Sequence, residues 1–257
     1  MNKNQRYPVE KFFSIRSLYG FTIASNDKKI FYITNTTGTP QIWSVPIEGG
    51  WTDQISTWND AVRYIFHNPK QKELVFMSDI NGNENTQIFK MPDEGGEVEL
   101  LTKGFEDSQC SFHDFNKKGS KFLFSTNKRL KYNFDTYVQD LKTKENKLVK
   151  GFEDHYPTPV ESWSSNERYF IFLKFYGNIN TDILLYDSVK DTIINVTEHD
   201  IEKNVFNAVS HFDKNNKGFY YISDEGREFK GIKYYDIGKK KSFWVIKEKW
   251  DVTGYTI

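Results

Sequence analysis

The sequence holds one cysteine, no surplus of charge and no long apolar run, and each lack excludes something. Cys110 alone can form neither an intrachain disulfide nor a cysteine-based zinc knuckle, and it suits a reducing compartment. Lys plus Arg and Asp plus Glu number 35 each in 257 residues, so the formal net charge is zero. Electrostatics therefore gives no reason to expect nucleic acid, an anionic membrane or an acidic substrate. No stretch approaches the roughly 18 apolar residues of a membrane helix. The opening Met1-Asn2-Lys3-Asn4-Gln5-Arg6-Tyr7-Pro8 lacks the apolar core of a secretory signal. A cytoplasmic protein with no nucleic-acid or membrane partner is expected. His67, His113, His155, His199 and His211 are scattered with no His-x-x-x-His or Cys-x-x-Cys spacing, so no metal and no cofactor is expected.

What is abundant is aromatic. Phe, Tyr and Trp make up 17% of the chain beside a modest 37% hydrophobic total, a mix suited to pleated, half-buried surfaces. Five runs stand out: Ile30-Phe31-Tyr32-Ile33, Leu74-Val75-Phe76-Met77, Phe122-Leu123-Phe124-Ser125, Phe170-Ile171-Phe172-Leu173 and Phe219-Tyr220-Tyr221-Ile222. Their first residues lie 44, 48, 48 and 49 apart. Each follows turn chemistry at a nearly constant offset, from Asn26-Asp27-Lys28-Lys29 to Asp213-Lys214-Asn215-Asn216, which marks it as the second strand of a hairpin. A third strand and a short fourth one follow, separated by markers such as Glu48-Gly49-Gly50 and Asp93-Glu94-Gly95-Gly96.

Four antiparallel strands recurring in the same order identify β-propeller blades; a sandwich or barrel would not repeat its unit five times. The expected fold is all-β. A lead-in over 1–20 precedes blades near 21–58, 61–104, 109–152, 156–199 and 204–247, and 251–257 is read as the first strand of a sixth. Five blades and a lone strand leave a ring without closure, so the expectation is a partial propeller whose end at Ile257 is not a natural domain end. A naturally five-bladed ring is the alternative.

Several short passages resemble the N-terminal propeller of the prolyl-oligopeptidase-type (S9) serine peptidases, in particular the acylaminoacyl-peptidase-like branch, with TolB-type propellers further off. Phe12-Phe13-Ser14-Ile15 resembles that family's lead-in segment. Phe21 to Ile30 resembles its blade opening, with the usual Ser-Pro-Asp-Gly turn degraded. Asp79-Ile80-Asn81-Gly82-Asn83-Glu84-Asn85-Thr86-Gln87-Ile88-Phe89, followed by Gly95-Gly96 and Leu100-Leu101-Thr102, carries most of the likeness. The resemblance implies seven blades followed by an α/β-hydrolase domain, with peptides as the substrate class. Neither the remaining blades nor that domain is in this sequence, and no Gly-x-Ser-x-Gly nucleophile elbow occurs in it. The chain as given is expected to have no catalytic residues of its own. The resemblance further implies that Glu84 points toward the hydrolase domain and pairs with an arginine there, as an interdomain residue that shapes the substrate site; the alternative is a solvated loop carboxylate.

Other candidates read from the residues are modest. His113 and His211 occupy similar inner-strand positions and, with Glu161, are candidates to line a central channel. Cys110 and His113, three apart on a strand, point to opposite faces and make no nucleophile and base pair, so Cys110 reads as a small buried blade residue. Asp79-x-Asn81-x-Asn83 opens like a calcium loop, yet Glu84 and Lys90 stand where that motif needs Gly and Glu. Asn35-Thr36-Thr37 and Asn195-Val196-Thr197 match the glycosylation sequon by chance. Three functions compete: a non-catalytic propeller gating peptide access to a hydrolase, a stand-alone TolB- or WD40-like interaction module, and, last, a five-bladed glycan-active enzyme with paired channel carboxylates.

Overall fold

The computed structural model describes residues 8–255, apart from the side chain of Ser210. Among the described residues, every regular element after a one-turn helix, α1 (Glu10–Phe13), is a strand, and the strands form five four-stranded antiparallel sheets. The chain divides into two compact units, Met1–Glu106 and Asp107–Ile257. No helix among the described residues is long and apolar enough to cross a membrane.

The first unit holds two meanders. Strands β1 (Leu18–Ile23), β2 (Lys29–Thr34), β3 (Gln41–Pro46) and β4 (Asp53–Gln54) form one, and β5 (Tyr64–His67), β6 (Glu73–Ser78), β7 (Gln87–Pro92) and β8 (Glu99–Leu100) the other. The second unit holds three: β9 (Cys110–Phe115), β10 (Lys121–Thr126), β11 (Asp135–Asp140) and β12 (Asn146–Lys150); β13 (Val160–Trp163), β14 (Tyr169–Gly177), β15 (Asn180–Asp187) and β16 (Thr192–Asn195); and β17 (Asn207–Phe212), β18 (Gly218–Ser223), β19 (Gly231–Asp236) and β20 (Lys241–Ile246). All five apolar runs are second strands, as their turns require. Residues 251–255, expected to open a sixth blade, form no strand; the rest of that expected strand lies outside the described residues, as do residues 1–7 of the lead-in.

Period-two alternation explains why two-sided burial falls on the second strands. In β14, Phe170 and Phe172 join Leu123, Val160 and Trp163 in one cluster, while Ile171 and Leu173 join Phe219, Tyr221 and Tyr235 in another. The fourth sheet is thus packed on both faces. In the first unit Phe31, Ile33 and Ile42 pack on Leu74, Phe76 and Phe89 in the same way. Cys110 is fully buried.

A side-chain clasp recurs where the third and fourth strands separate. Ser56 Oγ donates to Gln41 Oε1 at 2.7 Å and accepts from Ile42 N at 2.9 Å. Thr102 Oγ1 donates to Gln87 at 2.7 Å and accepts from Ile88 N at 3.2 Å. Thr197 Oγ1 donates to Asp182 at 3.1 Å and accepts from Ile183 N at 2.8 Å. Each hydroxyl satisfies a buried amide left over by the short fourth strand, the sort of group that is costly to leave unpaired. Thr102 and Thr197, met in the sequence as a family passage and a sequon, are therefore structural.

Candidate functional site

Two regions concentrate polar side chains, one in each unit. In the second unit the first strands β9, β13 and β17 each carry a β-bulge at the same place. Opposite β10, Leu123 pairs with Asp114 and Phe124 with Phe112, so His113 is the extra residue. Opposite β14, Ile171 pairs with Ser162 and Phe172 with Val160, so Glu161 is the extra residue. In β17 the register shifts between Val209 and Phe212, across Ser210 and His211. Bulges twist a strand and re-aim a side chain. Here they give His113 and Glu161 one equivalent position on neighbouring strands. His211 stands one place further on, level with Asp114 and Ser162, so the two histidines that look alike in sequence differ in register.

Asp114, Ser162 and His211 line a cleft of about 430 Å³ at the hairpin-turn end of these three sheets. Trp163 and Phe212 contribute its apolar wall, and Lys117, Ser165 and Lys214 stand at equivalent turn positions. Asp114 Oδ1 accepts from Phe115 N at 2.7 Å. Burial raises the Asp114 carboxyl above its ordinary range, although that N–H and the nearby His211 pull it down. Glu161 and His113 lie outside the cleft lining. The Glu161 side chain keeps water contact, and desolvation pushes its carboxyl up to about 7. His113 is pushed down to about 4 by burial, so it is neutral near pH 7, with Nε2 at 2.8 Å from Ser125 Oγ. The three sequence candidates thus share one set of strands, and only His211 reaches the cleft. Asp114 and Ser162 gave no sequence signal beyond their strand, because a bulge decides which way they face.

The cleft floor is tied together across sheets. Glu167, in the β13–β14 turn, accepts from Asn116 Nδ2 at 2.9 Å and from Lys121 Nζ at 3.0 Å. Burial alone would raise the Glu167 carboxyl, but these donors bring it below its ordinary value.

In the first unit, Glu84 lies on the β6–β7 loop, at the strand end opposite to the β5–β6 turn. Asp79 at its base is buried and faces Arg63 Nη2 at 3.4 Å, while the Glu84 amide donates to Asp79 Oδ2 at 3.4 Å. Asn83 Oδ1 accepts from Asn85 N at 3.0 Å, and Asn81 N donates to Asp60 at 3.1 Å. Asn81, Gly82 and Glu84 all have positive φ, Glu84 at 60°. Such a sequence of left-handed residues is costly and holds only where side chains lock it. Among the described residues no cluster of His, Cys, Asp or Glu has the arrangement of a metal site.

No family model matches the sequence, and no curated protein matches it. Solved structures do match in fold. TolB from Acinetobacter baumannii aligns over 88% of this chain and 53% of its own, with a TM-score of 0.59 and 15% identity. A prolyl endopeptidase aligns over 92% of this chain and 37% of its own, with a TM-score of 0.71 and 12% identity. An oligogalacturonate lyase from Vibrio parahaemolyticus aligns over 86% and 66%, with a TM-score of 0.65 and 15% identity. The chain spans about half of that TolB and little more than a third of the endopeptidase. With its repeated four-stranded sheets and these likenesses, the chain has the β-propeller fold of the TolB-type proteins and of the prolyl endopeptidase propeller.

Proposed function

We propose that this chain is the non-catalytic propeller portion of a cytoplasmic serine peptidase, which gates the access of short peptides to an α/β-hydrolase domain. The observation that carries this reading is the Asp79–Asn85 loop. A buried Asp79 held by Arg63 fixes Glu84 at a left-handed backbone position on an exposed loop. That is the arrangement needed to offer a carboxylate to an arginine of a facing domain. A propeller above a hydrolase site excludes folded proteins by width and admits peptides through its channel or by domain opening. The face of the first sheet supports the same reading, because Leu18, Phe21, Ile30, Tyr32 and Val45 form an apolar patch suited to packing against further blades.

The test is the reading frame beyond Ile257, followed by expression of the whole product and assay on short chromogenic peptides. Two more blades and a Gly-x-Ser-x-Gly elbow, with peptide hydrolysis that falls in Glu84→Gln, are expected. A stop codon at this point would overturn the reading in favour of a free-standing interaction module.

A further inference from the structure

The outer edges of the five sheets are not alike. Strands β4 and β8 have two residues each, β16 has four, and β12 carries Lys147 and Lys150 within its five. Short edges and internal lysines are the usual protection against strand addition. Strand β20 carries its one lysine, Lys241, at its first position. It is six residues long, it ends the sheet order β17-β18-β19-β20, and from Ser242 to Ile246 it has no charge. Phe243, Val245 and Ile246 are exposed along it.

Its pairing with β19 leaves the other side open. Trp244 pairs with Lys233 and Ile246 with Ile232, so Val245 is a β-bulge that bends the end of the edge, and the regular pairing runs from Lys241 to Trp244. The chain beyond Ile246 turns away along the β18–β19 loop, where Glu248 O accepts from Arg227 and Val252 N donates to Lys230 O. It pairs with β20 nowhere among the described residues.

Charge selects the occupant. Lys240 and Lys241 precede the apolar run, Lys247 and Lys249 follow it, and Glu248 is the only acid among them. Lys233, Lys247 and Arg227 all lie over the Trp244 ring, at 5.1, 5.4 and 5.0 Å from its centroid. A second copy of β20 pairing antiparallel would set Lys240 and Lys241 against Lys247 and Lys249, which repels. A strand with alternating apolar side chains between acidic ends meets a complementary charge at both ends.

We propose that β20 is a docking edge for an extended protein segment of that kind, bound by antiparallel strand addition. Backbone hydrogen bonds along the regular stretch Lys241–Trp244 supply affinity, the exposed Phe243 receives an apolar side chain, and the flanking lysines fix register.

The experiment uses this chain and a synthetic peptide, Asp-Asp-Val-Thr-Val-Thr-Val-Asp-Asp, capped at both ends. Calorimetric titration and amide hydrogen exchange are read together. Saturable binding is expected, with slowed exchange over residues 241–244 and affinity weakened about tenfold or more in Lys240→Glu/Lys241→Glu. Proline at the central valine of the peptide should abolish binding. Three results would overturn the proposal: no binding, protection confined to other residues, or equal binding of a poly-aspartate or single-stranded oligonucleotide, which would make the edge a general polyanion surface. Circular dichroism of the double variant separates lost docking from lost folding.

Discussion

Glu167 Oε1 accepts a hydrogen bond from Asn116 Nδ2 at 2.9 Å, joining two hairpin turns whose residues lie 51 apart in the chain. The next pair of turns repeats the join: Asn216 Oδ1 accepts from Ser165 N at 2.9 Å, again across 51 residues. Glu167 and Asn216 hold the same turn position and both have a left-handed backbone, with φ of 60° and 55°. A conformation that glycine would adopt more cheaply is kept by residues whose side chains reach the preceding sheet.

Replacing Glu167 separates these two roles. Glu167→Ala loses the acceptor for Asn116 and Lys121 and keeps the backbone cost, so a loss of about 1 to 2 kcal/mol is expected in urea unfolding. Glu167→Gly should lose less, because glycine relieves the left-handed turn. If the two variants unfold alike, the turn strain assigned to this position is wrong.

Asp27 is the control for that argument. It occupies the equivalent left-handed position of the first sheet, with φ of 56°, and its side chain is exposed. Asp27→Gly should therefore stabilise the fold by about 0.5 to 1 kcal/mol. Thermal unfolding measures it, and a lowered midpoint would count against a purely conformational account.

How far the sequence could be read follows from what each feature depends on. The second strands were legible because they are apolar on both faces and follow turn residues at a fixed spacing, as at Phe122 after Asn116-Lys117-Lys118-Gly119. Outer strands were legible only in part, since β4 and β8 are two-residue pairings whose neighbours Ile55 and Leu101 are held by other bonds. The bulges were not legible. Nothing in Ser111-Phe112-His113-Asp114 says that His113 is the residue without a partner in β10, so the one-place difference in register between His113 and His211 comes from the bulges and not from sequence spacing. The Gln41 and Ser56 clasp is not legible either, because its partners lie 15 residues apart and neither is unusual alone.

Glu161 and His113 should pull the pH dependence of stability in opposite directions. Glu161 titrates at about 7 in the fold against an ordinary 4.5, so its contribution is full below 4.5 and is lost as pH rises through about 7. His113 titrates at about 4 against an ordinary 6.5, so its contribution is full above 6.5 and is lost as pH falls through about 4. Urea midpoints at pH 5, 6.5 and 8 distinguish them. Glu161→Gln should gain on the parent chiefly at pH 8, and His113→Gln should flatten the acid side. A difference between Glu161→Gln and the parent that stays constant with pH would contradict the shift.

The apolar face of the first sheet makes the last prediction. Phe21 and Leu18 are about two-thirds exposed, at 67% and 64%, beside Ile30, Tyr32 and Val45. Contiguous apolar surface of this kind binds hydrophobic dyes and drives association unless something packs on it. Phe21 pairs with Tyr32 across the β1–β2 ladder, so its backbone place is secure whatever side chain it carries. Phe21→Lys should leave the circular dichroism spectrum unchanged, lower anilinonaphthalene sulfonate fluorescence and reduce concentration-dependent light scattering. Scattering that persists in Phe21→Lys, with dye binding unchanged, would show that association runs through another surface.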